Sequence, residues 1–150
     1  MMGDLNTTGV EIERKFLLEV FPEELSLLEE SVVRQGYLST DPVVRIRSKE
    51  KDGRESFVLC CKGPGTLQRR EIEVELTKEQ FLGMKDLLKA PLIRKDFRVY
   101  RLPDGHELEC SWVDKDSPSG FLYAEVEFRS KEEARAFVPP AFLGKEIGRA

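Results

Sequence analysis

A run of strictly alternating residues near the start of the chain restricts its fold more than any other feature. Residues 10–17 read VEIERKFL, so that apolar Val10 and Ile12 alternate with charged side chains. In a β-strand successive side chains point to opposite faces, and residues two apart lie about 7 Å from each other. Glu11, Glu13 and Lys15 therefore share one face. Neighbouring carboxylates suit a hard divalent cation, and a lysine suits a phosphate.

Later segments repeat this alternation, and each carries charges mostly of one sign. The shared faces hold Arg45 and Arg47, Lys62 with Cys60, Glu71 with Glu73 and Glu75, Lys95, Glu107 with Glu109, and Glu125 with Glu127. Taken strand by strand, an antiparallel sheet with one solvated face explains the pattern. Like charges along a strand repel, however, unless an opposite charge or a ligand lies across from them. A closed barrel with a polar lumen, in which basic strands pair with acidic ones, removes that repulsion.

Length and composition restrict the class of protein. The 150 residues predict a single domain over residues 1–150, with a loose polar lead over residues 1–9. The net charge of −4 argues against general nucleic-acid binding. We expect no membrane span and no signal peptide, because no long apolar run occurs. The three cysteines, two of them adjacent, favour reduced thiols and a cytoplasmic location.

Periodicity and turn signals predict about eight strands and three short helices. The predicted strands cover residues 10–19, 34–38, 43–49, 56–62, 69–76, 93–102, 106–114 and 121–128. A first helix is expected to open at Pro22, with Leu25, Leu28 and Val32 on one side. A second, capped by Thr77, is expected over residues 78–89, and a third runs from Ser130 to about residue 137.

Charged motifs in a fixed order span nearly the whole chain. They are Glu11-x-Glu13-x-Lys15, residues 34–38, Arg45-x-Arg47, Lys62, Arg69 with Glu71 and Glu73, Lys95, Glu125-x-Glu127 and residues 139–146. In order and spacing these motifs resemble the CYTH superfamily, also called triphosphate tunnel metalloenzymes. The resemblance implies an α+β, β-rich fold: a closed eight-stranded antiparallel β-barrel tunnel with a polar lumen and flanking short helices.

The same resemblance implies a divalent-metal-dependent hydrolase of triphosphates that uses Mg²⁺ or Mn²⁺. Its substrate would be inorganic tripolyphosphate or a nucleoside or thiamine triphosphate. The implied metal ligands are Glu11, Glu13, Glu125 and Glu127, which together with Lys15 form the implied catalytic set. The implied triphosphate-binding residues are Lys15, Arg45, Arg47, Lys62, Arg69 and Lys95. Glu71, Glu73 and Glu109 would either hold the basic residues in place or bind a second metal.

Several positions depart from the superfamily pattern. Cys60 stands where a threonine is usual, Phe97 replaces an arginine, and Ser111 replaces an aspartate. The sequence also ends at Ala150, before the closing segment of typical members. We therefore expect an atypical or weakened activity. The alternatives are a class IV adenylate cyclase and, motivated by Phe97 and Ser111, a non-catalytic polyphosphate- or nucleotide-binding module. The expected partner is a small-molecule triphosphate, and outward apolar faces make a homodimer plausible.

Overall fold

A computed structural model describes residues 7–148, in which the chain forms nine strands and two short helices. The elements are β1 (Thr7–Leu18), β2 (Ser26–Thr40), β3 (Val43–Lys51), β4 (Arg54–Lys62), β5 (Gln68–Leu76), α1 (Lys78–Lys85), β6 (Ile93–Arg101), β7 (Glu107–Val113), β8 (Phe121–Glu127), α2 (Lys131–Ala136) and β9 (Glu146–Ile147). Both helices within the described residues are too short to span a bilayer.

The strands form one sheet that closes on itself. Its hydrogen-bonded order is β5-β4-β3-β2-β6-β7-β8-β1, and β5 also pairs with β1. The short strand β9 extends the sheet by pairing with Lys15 and Phe16 of β1. The predicted closed eight-stranded antiparallel barrel is therefore confirmed, with β9 as an additional strand that the sequence did not indicate.

Tight turns set the register of the hairpins. Between β3 and β4, Asp52 and Gly53 both have positive φ angles of 53° and 75°, as a two-residue hairpin turn requires. The turn at residues 103–105 joins β6 to β7, with Gly105 at φ 95°. Both turns contain an Asp-Gly pair, which is a strong local signal for a hairpin.

The chain groups into two compact parts, each with its own core. The first part contains Ser31–Pro64 and Arg69–Arg94. Its core joins Ile46 of β3 and Phe57 of β4 to Phe81 of α1, with the Phe57 and Phe81 rings 5.1 Å apart. The backbone of Gly36 passes close to the residues after α1, where a Cβ would lie 2.5 Å from a Leu88 methyl carbon.

A capping box fixes the start of α1. The Thr77 hydroxyl accepts a hydrogen bond from the Gln80 backbone N–H at 3.0 Å, and the Thr77 N–H donates to the Gln80 side chain at 2.9 Å. These two contacts satisfy orphan donors of the first turn. The predicted cap is correct, but the helix ends at Lys85, four residues before the predicted end.

The second part contains Glu11–Glu30, Gly65–Gln68 and the chain from Lys95 onward. Its core uses the apolar face of β1, β7 and β8, where Phe16, Leu108 and Val126 are at most 1% exposed. Ala134 of α2 and the following Phe137 cover this face. The remaining side chains of these strands lie on the opposite face, which is the polar one.

The expected helix at Pro22 is wrong. Residues 23 and 24 form a turn, and β2 begins at Ser26 and continues for 15 residues. Leu27 and Leu28 are 49% and 41% exposed, so the helical spacing of leucines did not reflect a buried face. The alternating burial of Ser31, Val33 and Gln35 shows the strand period that decides the structure.

The start of β1 also differs from the prediction. Residues 7–9 belong to the strand and do not form part of a loose lead. Residues 1–6 of that predicted lead lie outside the described residues.

Arg14 connects three elements of the second part from the apolar face of β1. Its guanidinium donates to both carboxylate oxygens of Glu146 in β9, at 2.9 and 2.7 Å. It also donates to the carbonyl oxygens of Ala134 and Phe137, at 2.9 and 3.0 Å, at the end of α2. A lysine could not replace Arg14 here, because its single ammonium group cannot donate two parallel hydrogen bonds to one carboxylate. The Arg14 guanidinium lowers the pKa of Glu146 through its hydrogen bonds.

We predict that Glu146→Gln lowers the free energy of unfolding by about 1 kcal/mol at pH 7, the upper range for an exposed ion pair. Because the folded pKa of Glu146 is depressed, its contribution is present above the ordinary glutamate pKa and disappears as the pH falls through the folded value. Urea unfolding at pH 7 and pH 3 tests this. The difference between wild type and Glu146→Gln should shrink at pH 3, and Glu24→Gln, an exposed turn variant, should show no such change. A pH-independent difference would contradict the prediction.

Candidate active site

Three glutamates of the second part converge on the polar face of the sheet. Glu11 and Glu13 lie on β1, and strand pairing places Glu13 directly opposite Glu127 of β8. One carboxylate oxygen from each of the three lies within 4.8 Å of the other two. We call Glu11, Glu13 and Glu127 the acidic cluster. Glu11 is 9% exposed and Glu13 is 6% exposed, so two of these carboxylates are largely removed from water.

This arrangement could hold a hard divalent cation. Like charges directly opposite each other on neighbouring strands destabilise a sheet. Burial of Glu13 increases this repulsion because the local dielectric falls, although its partner Glu127 is exposed. A divalent cation bound by the three carboxylates converts that repulsion into coordination. Carboxylate oxygens are the protein ligands that Mg²⁺ and Mn²⁺ prefer.

Glu125, the fourth predicted ligand, lies next to the acidic cluster on the same face of β8. Its Oε2 is 3.6 Å from the Nζ of Lys15, and its register partners are Lys15 on β1 and Glu109 on β7. Glu125 is thus placed between a lysine and a second glutamate. The structure brings the predicted residues Lys15, Glu109 and Glu125 into one row across three strands.

A cavity of about 200 Å³ opens at β1 and is lined by Glu13, Arg14 and Lys15 together with Leu67 and Glu146. The Glu13 backbone N–H donates to the Leu67 carbonyl oxygen at 3.2 Å, which holds the loop before β5 against β1. The volume is sufficient for several water molecules, at about 30 Å³ each. Glu13 and Lys15 therefore border a space that a hydrated cation or a phosphate can enter.

The polar face of the first part combines basic and acidic residues. Lys62 lies directly opposite Glu71, with Nζ 3.6 Å from Oε2. A guanidinium nitrogen of Arg47 lies 3.8 Å from Glu73. Lys62 is only 8% exposed, so its charge is held in a partly desolvated setting. The predicted pairing of basic with acidic strands holds for Lys62 and Glu71, but it is wrong for β1 and β8, two acidic strands that pair with each other.

The remaining basic residues of this face are Arg45 and Arg69. Arg45 lies between Tyr37 of β2 and Cys60 of β4 in the strand register. Arg69 lies near the start of β5, two residues before Glu71, and is half-buried. Arg45, Arg47 and Lys62 thus occupy adjacent strands on one face.

Burial along β5 is the reverse of that in an ordinary surface strand. Glu71, Glu73 and Glu75 are half-buried, whereas Ile72 and Val74 are each 36% exposed. A sheet with one solvated face would bury the apolar set and expose the charged set. The reversal favours the polar-lumen interpretation of the sequence over the solvated-face interpretation.

Cys60 belongs to the polar face and is 1% exposed, with its thiol 3.8 Å from Glu71 Oε2. Burial raises the pKa of the Cys60 thiol, although Arg45 and Lys62 oppose that shift. One donor atom from each of Cys60, Glu71 and Glu73 lies within 4.8 Å of the others. This grouping is compatible with both roles predicted for the two glutamates.

Tyr123 is a residue of this site that sequence reasoning missed. The Nζ of Lys95 donates a hydrogen bond to the Tyr123 hydroxyl and lies 5.0 Å from the ring centroid. The Nζ of Lys15 lies 4.9 Å from the same centroid. Tyr123 alternates with Glu125 and Glu127 along β8, and this spacing was the signal that could have identified it.

The two atypical positions of the second part also lie on this face. In the strand register Ser111 of β7 lies directly between Phe97 of β6 and Tyr123 of β8. Ser111 is 3% exposed. Arg98 lies on the other face, where it contacts Glu23 at 3.2 Å and Glu30 at 3.0 Å and lies 4.4 Å from the Phe21 ring centroid.

The closed sheet and its charged residues define a class of small β-barrel protein with clustered carboxylates and cations on the polar face. A curated relative from Nitrosomonas europaea, named inorganic triphosphatase, is 34% identical over 137 residues, covering 91% of this chain and 88% of the relative. The crystal structure of the inorganic triphosphatase NE1496 matches with a TM-score of 0.59 and 31% identity, covering 91% of this chain and 85% of that one.

A more distant structure has the same fold. The putative adenylyl cyclase HpAC1 from Hippeastrum, described as having a dominant triphosphatase activity, matches with a TM-score of 0.63 at 17% identity, over 83% of this chain and 82% of that one. No family model matches the chain. With a relative at 34% identity over most of both sequences, the chain belongs to the CYTH superfamily of triphosphate tunnel enzymes.

We predict that Mn²⁺ raises the melting temperature of the protein and that Glu13→Gln abolishes this rise. Saturation at about a hundred times the dissociation constant stabilises a folded protein by about 2.7 kcal/mol, which corresponds to several degrees for a chain of this length. Differential scanning fluorimetry with and without Mn²⁺ measures the effect.

Glu55→Gln is the matched control, because Glu55 is exposed and its carboxylate lies 3.7 Å from Lys78 outside the acidic cluster. An equal Mn²⁺-dependent rise in Glu13→Gln and Glu55→Gln would show that the acidic cluster does not bind the metal.

Proposed function

We propose that this protein is a divalent-metal-dependent inorganic triphosphatase, which hydrolyses tripolyphosphate to phosphate and pyrophosphate. The acidic cluster carries the proposal, because three carboxylates within 4.8 Å of one another are a ligand set that a phosphoanhydride hydrolase needs. The Nitrosomonas europaea relative supports the choice of an inorganic substrate through its name. Mg²⁺ or Mn²⁺ is the proposed cofactor.

In this proposal Glu11, Glu13 and Glu127 hold the metal, and Glu125 supports it from the neighbouring position. The bound cation would supply charge neutralisation at phosphate oxygens and orientation of the attacking water. Glu125 also fixes Lys15, whose Nζ is 3.6 Å away. Lys15 is thereby held on the same face as the carboxylates, where its charge can meet a phosphate oxygen.

The basic residues are proposed to bind the phosphate groups. Arginine offers paired N–H donors to phosphate, and lysine offers a compact charge. Hydrolysis forms a bond from water oxygen to the terminal phosphorus and breaks the bridging P–O bond, so that pyrophosphate leaves with the bridging oxygen. Cations fixed beforehand stabilise the charge that develops on that oxygen. The proposed phosphate-binding residues are Lys15, Arg45, Arg47, Lys62, Arg69 and Lys95.

Glu71 and Glu73 are proposed to position the basic residues of the first part. The distances from Glu71 to Lys62 and from Glu73 to Arg47 are those of ion pairs, 3.6 and 3.8 Å. A second metal at these glutamates would have to share them with the two cations. Support of the basic residues is therefore the role that the contacts favour.

A cytoplasmic location is part of the proposal. Cys60, Cys61 and Cys110 are all free thiols, and burial raises the pKa of Cys110 to about 12, which suppresses its reactive thiolate form. Reduced cysteines are typical of cytoplasmic proteins.

We predict that the wild-type chain releases phosphate from tripolyphosphate with Mg²⁺ or Mn²⁺, and that Glu13→Gln lowers kcat/KM at least about a hundredfold. A loss of about 2.7 kcal/mol of transition-state stabilisation corresponds to that factor. A phosphate-release assay with tripolyphosphate, ATP and thiamine triphosphate measures it, with Glu55→Gln as the control that retains activity. Chelation of the metal should abolish turnover.

The other outcomes separate the alternatives. Cyclic AMP formed from ATP would establish an adenylate cyclase in place of a triphosphatase. Tight binding of tripolyphosphate without phosphate release would establish a non-catalytic binding module.

We predict that Arg47→Ala raises KM for tripolyphosphate about tenfold, because it removes a cation from the proposed phosphate-binding face. Arg54→Ala is the matched control, since Arg54 is exposed at the hairpin between β3 and β4. Steady-state kinetics at two salt concentrations measure both variants. An equal effect of the two substitutions would indicate a general charge effect and contradict the assignment of Arg47.

A further inference from the structure

Tyr123 contacts two of the lysines that are proposed to bind the triphosphate. Neither the composition of the chain nor the family motifs identify it. Lys95 donates a hydrogen bond to its hydroxyl, and the Nζ atoms of Lys95 and Lys15 lie 5.0 and 4.9 Å from its ring centroid. The Lys15 distance falls within the range of about 6 Å for cation–π contacts, whereas Lys95 is held at the ring edge by the hydroxyl. One aromatic side chain thus contacts two ammonium groups.

The surroundings of Tyr123 fix the orientation of its ring. The side chain is 7% exposed, and the Phe121 ring stacks on it at a centroid distance of 5.9 Å and an interplanar angle of 28°. Across the sheet its register partners are Ser111 and Leu17. Because its neighbours restrain the ring, Tyr123 offers the lysines a fixed contact. Ordering a long side chain costs rotamer entropy, and a fixed contact reduces the freedom that each lysine still has to lose when a phosphate binds.

A tyrosine differs from a carboxylate in what it leaves available to an anion. A glutamate that fixes a lysine also cancels its charge, and repels a phosphate that approaches the lysine. The π face and the hydroxyl of Tyr123 fix an ammonium without adding a negative charge. Tyr123 thus restrains both lysines without itself repelling a polyanion, whereas the ion pair of Lys15 with Glu125, at 3.6 Å, partly offsets the charge of that lysine.

The position of Tyr123 along β8 connects it to the acidic cluster. It precedes Glu125 by two residues and Glu127 by four, on the same face, and residues two apart on a strand are separated by about 7 Å. Glu127 of the acidic cluster, four residues from Tyr123, is therefore on the order of 13 Å away along the strand. A phosphate next to Tyr123 would belong to the end of the substrate that is remote from a metal at the acidic cluster.

We infer that Tyr123 is a positioning residue. Although uncharged itself, it holds the ammonium groups of Lys95 and Lys15 where they can bind a phosphate group of the substrate. This inference rests on the proposed function and extends it to a residue outside the charged motifs. Tyr123 acts through the two lysines, so its removal should weaken substrate binding more than it slows the chemical step.

The test compares Tyr123→Phe, which keeps the ring and loses the hydroxyl, with Tyr123→Leu, which loses both. Tyr100→Phe is the matched control, because the Tyr100 hydroxyl also accepts from a cation, Arg98 at 3.1 Å, but on the other face of the sheet. Isothermal titration calorimetry with tripolyphosphate and a chelator gives Kd, and phosphate release with Mg²⁺ gives kcat and KM.

We expect Tyr123→Phe to raise Kd and KM about fivefold and Tyr123→Leu about twentyfold, with kcat within about threefold of wild type. Tyr100→Phe should leave Kd and KM within about twofold. Wild-type affinity in both Tyr123 variants, or a weakening by Tyr100→Phe equal to that of Tyr123→Phe, would overturn the inference. So would a fall in kcat at constant KM, which indicates a role in the chemical step.

The binding arm separates this inference from the proposed function. If the wild type binds tripolyphosphate but releases no phosphate, the triphosphatase proposal fails and the Kd values still decide the role of Tyr123. If the wild type does not bind tripolyphosphate at all, both are overturned.

Discussion

Glu13 of β1 faces Glu127 of β8 across a single pair of strands, and this contact of like charges is the constraint around which the second part is organised. Burial of apolar side chains on the opposite face of the same strands offsets the cost of this repulsion. There Phe16, Ala124 and Val126 are at most 1% exposed beneath α2 and its following residues. Because side chains alternate along a strand, a register that buries these apolar residues necessarily aligns the carboxylates. The core thus fixes the geometry of the acidic cluster.

Arg14 shows how far this coupling extends. It lies between Glu13 and Lys15 in sequence but on the other face of β1, where it contacts Glu146 and two carbonyl oxygens near the end of α2. Any slip of β1 by one residue would exchange Arg14 with its charged neighbours and break both faces at once. Arg14, in the middle of the charged motif, therefore has a structural role. Along this motif, residues of the candidate site alternate with residues that stabilise the fold.

Much of the sheet could be predicted, because alternation of charged and apolar residues over five or more positions has few interpretations other than a strand. The Asp-Gly turns and the Thr77 cap were equally local signals, since each is decided by two to four neighbouring residues. The segment after Pro22 was predicted wrongly, because leucine spacing there matched a helix while pairing of β2 in the sheet determined the outcome. The short strand β9 depends on contacts with β1 more than a hundred residues earlier in the chain, which no local pattern reports.

The sequence predicted the candidate site about as completely as it predicted the sheet. Three of the four carboxylates that the family resemblance implied at the metal lie close together, since Glu11, Glu13 and Glu127 lie on paired strands. On β4, Cys60 of the polar face is 1% exposed, whereas Cys61 of the other face is only half-buried. The polar face of β4 is thus the more enclosed one, which a rule that assigns apolar residues to the interior cannot foresee.

The protein anchors its cations in two chemically different ways, and the difference bears on substrate exchange. Lys62 and Arg47 are held by Glu71 and Glu73, so a phosphate that binds them must compete with carboxylates already present. The net gain from such an exchange is smaller than that from binding an unpaired cation, which limits the affinity for both substrate and product. Uniformly tight binding of a polyanion would not accelerate turnover. Carboxylate-paired cations that moderate affinity, together with an aromatic residue that restrains cations without adding a negative charge, would permit a polyanion to be bound and its hydrolysis products to be released.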